Sequence, residues 1–177
     1  MRSISLTRRN RKRALSAVLL AMAAAAVAPA AQADAAYEIK PRHSGKCLDV
    51  AWASQWNGAN VGQWSCNGGY NQQFSLQYTD SDYYGKYYKI VARHSGKCLD
   101  VEYGSRGDGA NIQQYTCGAG YNQQFRLRYI DSGYYQLIAR HSFACVDVAW
   151  ASTWDGANVH QWGCNGGGNQ QFRFVYR

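Results

Sequence analysis

The 177-residue chain has no Cys-x-x-Cys pair and no Cys/His cluster at ligand spacing, which argues against a zinc site. It also lacks a Gly-x-Ser-x-Gly elbow, a phosphate loop and a cysteine without a counterpart, the usual starting points for acyl transfer, nucleotide hydrolysis and thiol catalysis. Beyond residue 33 lysine and glutamate are scarce, a composition foreign to a bundle of helices. Long apolar runs are missing too. The one stretch of that kind, ALSAVLLAMAAAAVA at 14–28, is short and alanine-rich for a bilayer span. It follows the basic start MRSISLTRRNRKR and precedes the small-residue Ala31-Gln32-Ala33, the layout of a secretory leader at 1–33 cleaved before Asp34. Arg8-Arg9 is similar to a twin-arginine export pair, but Asn10 and Arg11 stand where a hydrophobic residue belongs, so the general secretory route is expected.

Strong charge is the next absence. The formal +8 arises from 19 basic and 11 acidic residues, and six of the basic ones lie in the leader with no acidic residue beside them. The remaining 34–177 carries 13 against 11, or +2. Such a balance gives no electrostatic footprint for nucleic acid, and neither a nucleic-acid partner nor membrane insertion is expected. The segment is the size of one domain, and a monomer is the expected state.

What the segment does have is a 33-residue unit written three times without a gap, at 42–74, 93–125 and 140–172. The first and third copies agree at 25 of 33 positions and the first and second at 21, so the chain is an internal triplication. A unit of this length cannot bury its apolar face alone, which points to a closed pseudo-symmetric fold.

All six cysteines fall in the repeat, 19 positions apart in each copy: Cys47 and Cys66, Cys98 and Cys117, Cys145 and Cys164. Six cysteines allow 15 pairings. Within-copy bridges are the simple pairing that treats the three units alike, and export places the thiols where they oxidise. Each bridge stabilises the fold by roughly 3 kcal/mol in the chain-entropy model. His43, His94 and His141 recur four residues before a cysteine and read as packed or turn-stabilising residues.

Period-two alternation predicts strands at 37–43, 46–52, 60–66 and 72–78, again at 87–94, 97–103, 111–117 and 123–129, and again at 134–141, 144–150, 158–164 and 170–176. Ser44-Gly45, Asn57-Gly58 and Asn67-Gly68-Gly69 supply turns, and Asp80-Ser81-Asp82 and Asp131-Ser132-Gly133 turn the chain between repeats. Three repeats, about 37–78, 87–129 and 134–177, give twelve strands in an all-β fold that closes on itself and removes its sheet edges.

The motif Cys-Leu-Asp-Val, an Asn-Gly turn, an aromatic two residues before the second cysteine, and Asn-Gln-x-aromatic resembles the ricin-type trefoil lectins. It is also similar to the trefoil carbohydrate-binding modules of secreted bacterial glycosidases. The resemblance covers nearly all of 34–177. It implies a β-trefoil, with six strands in a short barrel, six in hairpins that cap it, and a shallow sugar site on each lobe. One departure is that the family's Gln-x-Trp is Gln-x-Phe here, at Phe74, Phe125 and Phe172.

A pyranose presents hydroxyls that need acceptors and donors, and a C–H face that needs an aromatic platform. By resemblance, Asp49, Asp100 and Asp147 would accept from two vicinal hydroxyls, and Trp64, Tyr115 and Trp162 would stack on the ring. Asn71, Asn122 and Asn169 would donate to a hydroxyl, and Gln72, Gln123 and Gln170 would bind the sugar or brace the aspartate. The polar residue two before the aromatic is Gln113 in the second copy and His160 in the third, whereas the first has Gly62. Trp52 and Trp56, with Trp150 and Trp154 in the third copy, stand in the loop after the aspartate where the second copy has Tyr103 and Gly107; Trp56 and Trp154, just before the turns at 57–58 and 155–156, offer a second wall. The same positions also admit structural roles: the aspartates as turn caps, the aromatics as core, the loop tryptophans as packing on their own hairpin.

Three aspartates held apart on equivalent lobes do not form the paired carboxylates of a glycosidase, and no unique acid sits in an apolar context. The reading is therefore a secreted, extracellular, stand-alone lectin without enzymatic activity or cofactor. By resemblance its ligands would be galactose- or xylose-containing glycans. The alternative is a protein-binding trefoil such as a secreted hydrolase inhibitor, which calls for one distinctive exposed loop in one lobe.

Overall fold

The structure is a computed structural model that describes residues 35–177; the leader expected at 1–33 lies outside them. Lobe 1 holds β1 (Tyr37–Pro41), β2 (Cys47–Val50), β3 (Ala59–Trp64) and β4 (Phe74–Asp82). Lobe 2 holds β5 (Gly85–Ala92), β6 (Cys98–Val101), β7 (Ile112–Tyr115) and β8 (Phe125–Tyr129). Lobe 3 holds β9 (Tyr134–Ala139), β10 (Cys145–Val148), β11 (Val159–Trp162) and β12 (Phe172–Tyr176).

Six of these strands close a ring. Antiparallel pairing runs from β1 to β4, β5, β8, β9 and β12, and β12 returns to β1 over five residue pairs from Tyr37↔Tyr176 to Pro41↔Phe172. The other six form hairpins β2–β3, β6–β7 and β10–β11 that meet each other across one end, through β3–β7 pairing and the bridges Gly62↔Asn158 and Asn111↔His160. This is the β-trefoil.

Alternation fixes what fills it. Ile39, Ile90 and Leu137 point inward from the first strand of each lobe, Leu48, Leu99 and Val146 from the second, and Phe74, Phe125 and Phe172 from the fourth; all are fully buried in one cluster. Phe of the Gln-x-Phe motif thus fills the core in each lobe. The three disulfides form within copies, Cys47–Cys66, Cys98–Cys117 and Cys145–Cys164.

The lobes are fastened in a cycle. His43 Nε2 donates to the Ser152 carbonyl of lobe 3 at 2.8 Å, His94 Nε2 to Ser54 of lobe 1 at 2.9 Å, and His141 Nε2 to Ser105 of lobe 2 at 2.8 Å. Gln63, Gln114 and Gln161, all buried, donate to the same three carbonyls. The repeated histidines thus lock neighbouring lobes, a larger role than stabilising their own turn. At the seam between β1 and β12, the buried Glu38 carboxylate accepts from Arg177 at 2.7 Å and Lys40 at 3.0 Å. Burial works to raise its pKa, but the Arg177 and Lys40 bonds prevail and hold it below the ordinary glutamate value.

Two expectations are corrected. The second strand of each lobe stops at Val50, Val101 or Val148, because the next three residues form a 3-10 turn in which Trp52, Tyr103 and Trp150 take φ of 59°, 55° and 60°. The first connector turns at Tyr83-Tyr84 instead of 80–82, since β4 and β5 stay paired to Asp82↔Gly85 after a bulge between Tyr78 and Asp80.

Candidate carbohydrate site

On β2 the alternation that buries Leu48 and Val50 turns Asp49 to the opposite face. Register sets Gly62 beside Asp49 and Trp64 beside Cys47 on the neighbouring strand, so one face carries the carboxylate and the aromatic. The same pairing sets Gln113 beside Asp100 and His160 beside Asp147. Trp64, Tyr115 and Trp162 are 46%, 44% and 42% exposed, which puts them on the surface and not in the core.

Behind each carboxylate lies a brace. Asn71 Nδ2 and Gln72 Nε2 both donate to Asp49 Oδ2, at 3.0 and 2.9 Å. Asn122 and Gln123 do so to Asp100 Oδ2, both at 2.8 Å, and Asn169 and Gln170 to Asp147 Oδ2, both at 2.9 Å. The second hydrogen of each Asn amide goes to the carbonyl of Val50, Val101 or Val148. Both of its neighbours are acceptors, which fixes the amide orientation by chemistry. Both hydrogens of each Asn amide are thus engaged within the protein, and its Oδ1 lies beside Gly69, Gly120 or Gly167. Gln72, Gln123 and Gln170 are buried, with the amide oxygen accepting from the backbone of Asn67, Gly118 or Asn165. They form the brace, one of the two roles expected for them.

The outward oxygen, Oδ1, differs by lobe. Gln113 Nε2 donates to Asp100 Oδ1 at 3.1 Å, and His160 Nε2 to Asp147 Oδ1 at 3.1 Å. Among the described residues nothing donates to Asp49 Oδ1, because Gly62 has no side chain to offer. Burial pushes the Asp49 carboxyl above the ordinary aspartate value, against the pull of the Gln72 and Asn71 bonds. His160 also stacks on Trp162, with ring centres 5.5 Å apart and planes 26° apart.

Each site has a second aromatic. In lobe 1 a cleft of about 430 Å³ is walled by Trp52 and Trp64 over Asp49, Asn60 and Asn71. In lobe 3 a cleft of about 350 Å³ is walled by Trp150 and Trp162 over Asp147, His160 and Asn169. Trp52, Tyr103 and Trp150 stand at least 95% exposed, held out by left-handed backbone that a bulky residue adopts at a cost of about 1–2 kcal/mol. Strand propensity placed these residues in β2, β6 and β10; the one hint to the turn was Gly104 following Tyr103.

The site is also shared between lobes. Asp155 Oδ1 accepts from Ser65 N at 2.7 Å, Asn57 Oδ1 from Thr116 N at 2.9 Å, and Asp108 Oδ1 from Gly163 N at 2.8 Å. Each turn thus docks on a neighbouring lobe, and Gly156 of lobe 3 lines the lobe 1 cleft. Trp56 and Trp154, counted by sequence with their own lobes, belong to turns seated on lobes 2 and 1.

Among the described residues one set of metal-type side chains converges, Glu38 with Cys47 and Cys66. Both sulfurs are in a disulfide, and the carboxylate already serves Lys40 and Arg177.

No curated protein sequence matches the chain. Among solved structures, a designed threefold-symmetric protein, ThreeFoil, is 55% identical with a TM-score of 0.74, covering 79% of this chain and 97% of its own. An exo-beta-1,3-galactanase from Clostridium thermocellum is 38% identical with a TM-score of 0.78 over 82% of this chain, which spans 31% of that enzyme's length. The Macrolepiota procera ricin B-like lectin, solved in complex with lactose, shares the fold at 18% identity, a TM-score of 0.64, and coverage of 80% of this chain and 95% of its own. The family described as ricin-type beta-trefoil lectin domain-like matches residues 27–115, 83–162 and 121–177, and with its fold, disulfides and threefold Asp-Asn-Gln constellation the chain belongs to that family.

Proposed function

We propose that the protein is a secreted, non-catalytic lectin that binds glycans through up to three shallow lobe sites. One observation carries this reading. In each lobe a carboxylate is tied back through one oxygen, while an aromatic that gains nothing from burial is held out beside it at positive φ. Acceptor beside aromatic plate is what a sugar's hydroxyl edge and C–H face require. Single sites of this kind are weak, and three on one rigid body gain by avidity on a polysaccharide. The lobe 1 and lobe 3 clefts are each lined by one carboxylate, whereas glycoside hydrolysis uses a pair. Likeness to a galactanase supports galactose-containing glycans as ligands, and three disulfides are compatible with an extracellular location.

The test is a glycan array and polysaccharide pull-down with two variants. One is Asp49→Ala/Asp100→Ala/Asp147→Ala; the other, Trp52→Gly/Tyr103→Gly/Trp150→Gly, spares the brace and the core. Binding by the wild type that both variants lose, with melting curves intact for the second, supports the reading. A wild type that binds no glycan overturns it.

A second reading, a protein-binding trefoil, draws on one asymmetric feature. The extended β4–β5 hairpin carries Tyr83, 97% exposed, and Tyr84 packs edge-on against Phe143 at 5.5 Å. Phe143 has φ of 63° and stands where the other lobes have Gly45 and Gly96. Affinity capture of a partner that Tyr83→Ala abolishes would favour this reading.

A further inference from the structure

We propose that the open end of the barrel, opposite the hairpins, is a separate site for an acidic sugar residue, one bearing a carboxylate or sulfate. Pairing between the first and fourth strands of each lobe is short here, with two residue pairs for β5–β8, two for β9–β12 and one for β1–β4. The strands splay below these contacts and leave a cavity of about 850 Å³ to which all six barrel strands contribute. That volume suits a ligand of a few rings.

Its walls and floor repeat with the pseudo-threefold symmetry. Tyr37, Tyr88 and Tyr135 come from equivalent positions, as do Leu76, Leu127 and Phe174, and all six are partly buried. Its charge breaks the threefold symmetry: Arg126 and Arg173 are equivalent, but the third position is Ser75, and Lys86 and Arg128 have no basic counterpart. Lys86, Arg126, Arg128 and Arg173 line the cavity, no acidic residue does, and none of the four makes an ion pair among the described residues. In a chain whose net charge beyond the leader is +2, four uncompensated cations at one mouth are a local excess. They attract an anion, and guanidinium groups grip carboxylate or sulfate in their plane. Tyrosine rings below them suit the C–H face of a sugar.

The division of labour follows from charge. Each lobe site presents its own aspartate, which accepts from neutral hydroxyls and repels a second carboxylate, whereas the mouth presents only cations. That the anion rides on a sugar rests on the carbohydrate reading above; the cationic cup does not.

The experiment is amide NMR of the protein with tetragalacturonate, neutral galactobiose and inorganic sulfate as separate probes, repeated with Lys86→Gln/Arg173→Gln. Neither Lys86 nor Arg173 makes a side-chain hydrogen bond among the described residues, so the double variant keeps the frame. Tetragalacturonate is expected to shift the Gly85 and Gly133 amides of the cavity, to weaken as salt rises, and to bind at least about tenfold less tightly to the variant, which has lost two of the four cations. Galactobiose reports on lobe 1 through Gly62 and Gly156, so failure of that lobe site is read separately. No shift at Gly85 and Gly133, undiminished binding by the variant, or sulfate binding as tightly as the acidic sugar would each overturn the proposal.

Discussion

Lobes 1 and 2 share a disulfide, a buried Phe and an Asn-Gln brace, yet they offer a ligand different chemistry. In lobe 2 both carboxylate oxygens of Asp100 are taken, Oδ1 by Gln113, so a sugar meets an amide and a carboxylate already joined. In lobe 1 Gly62 leaves Asp49 Oδ1 open beneath two tryptophans. The frame answers to burial and is held equal by threefold packing. The sites answer to single side chains on an outer face, where a change costs the fold little.

Breaking the frame should have the largest effect and should not distinguish lobes. Phe74→Ala, Phe125→Ala and Phe172→Ala each are expected to cost about 3–5 kcal/mol in denaturant unfolding, agreeing within about 1 kcal/mol. A lobe whose Phe proved far cheaper would contradict the equivalence.

Next comes Trp52→Gly, which acts on one site alone. Sugar binding in lobe 1 should fall about tenfold by NMR titration. Stability should move by less than about 1 kcal/mol, because relief of left-handed strain offsets the added freedom of glycine in the unfolded chain.

Gly62→Gln converts lobe 1 toward lobe 2. The new Cβ would come within 3.0 Å of the Ala157 carbonyl, so a cost of about 1 kcal/mol is expected. The new amide should donate to Asp49 Oδ1 and favour the ionised carboxyl, lowering its pKa in a carbonyl-carbon NMR titration. An unchanged pKa would mean that the amide points elsewhere.

The smallest effect is that of mild acid. Asp49 Oδ2 already accepts two amide hydrogens, so a proton arriving on this carboxyl goes to Oδ1, the oxygen facing the cleft. Ligand favours the ionised form; binding in lobe 1 should hold above the raised Asp49 pKa and weaken as pH falls through it. Affinity measured across that range in an Asp100→Ala/Asp147→Ala background isolates the effect, and a flat profile would remove Asp49 Oδ1 from the contact.

Much of this was legible in the repeat. The period gave three lobes, alternation put Leu48 and Val50 inside and Asp49 outside, and equal Cys spacing gave the bridges. Trp52 was not legible as a ligand wall, because positive φ at an aromatic runs against every local preference and is imposed by the turn after Val50. Nor could sequence say that Asp155 fastens to Ser65: which lobe a turn docks on is decided by ring closure, a property of the assembled barrel. The Gln72 set was visible as polar, but its burial follows from the carboxylate, whose inner oxygen needs two donors.

The pairing of β1 with β12 sets how the molecule can be mounted. Tyr37 and Tyr176 lie side by side at the open end of the barrel, while the lobe clefts are built on hairpins at the other. A bead, a support or a fused protein attached at Arg177 would therefore stand on one side, like the handle of a fan, and leave the lobe clefts facing outward. The same attachment would shade the cationic mouth, so immobilised protein and free protein should differ toward acidic glycans and agree toward neutral ones.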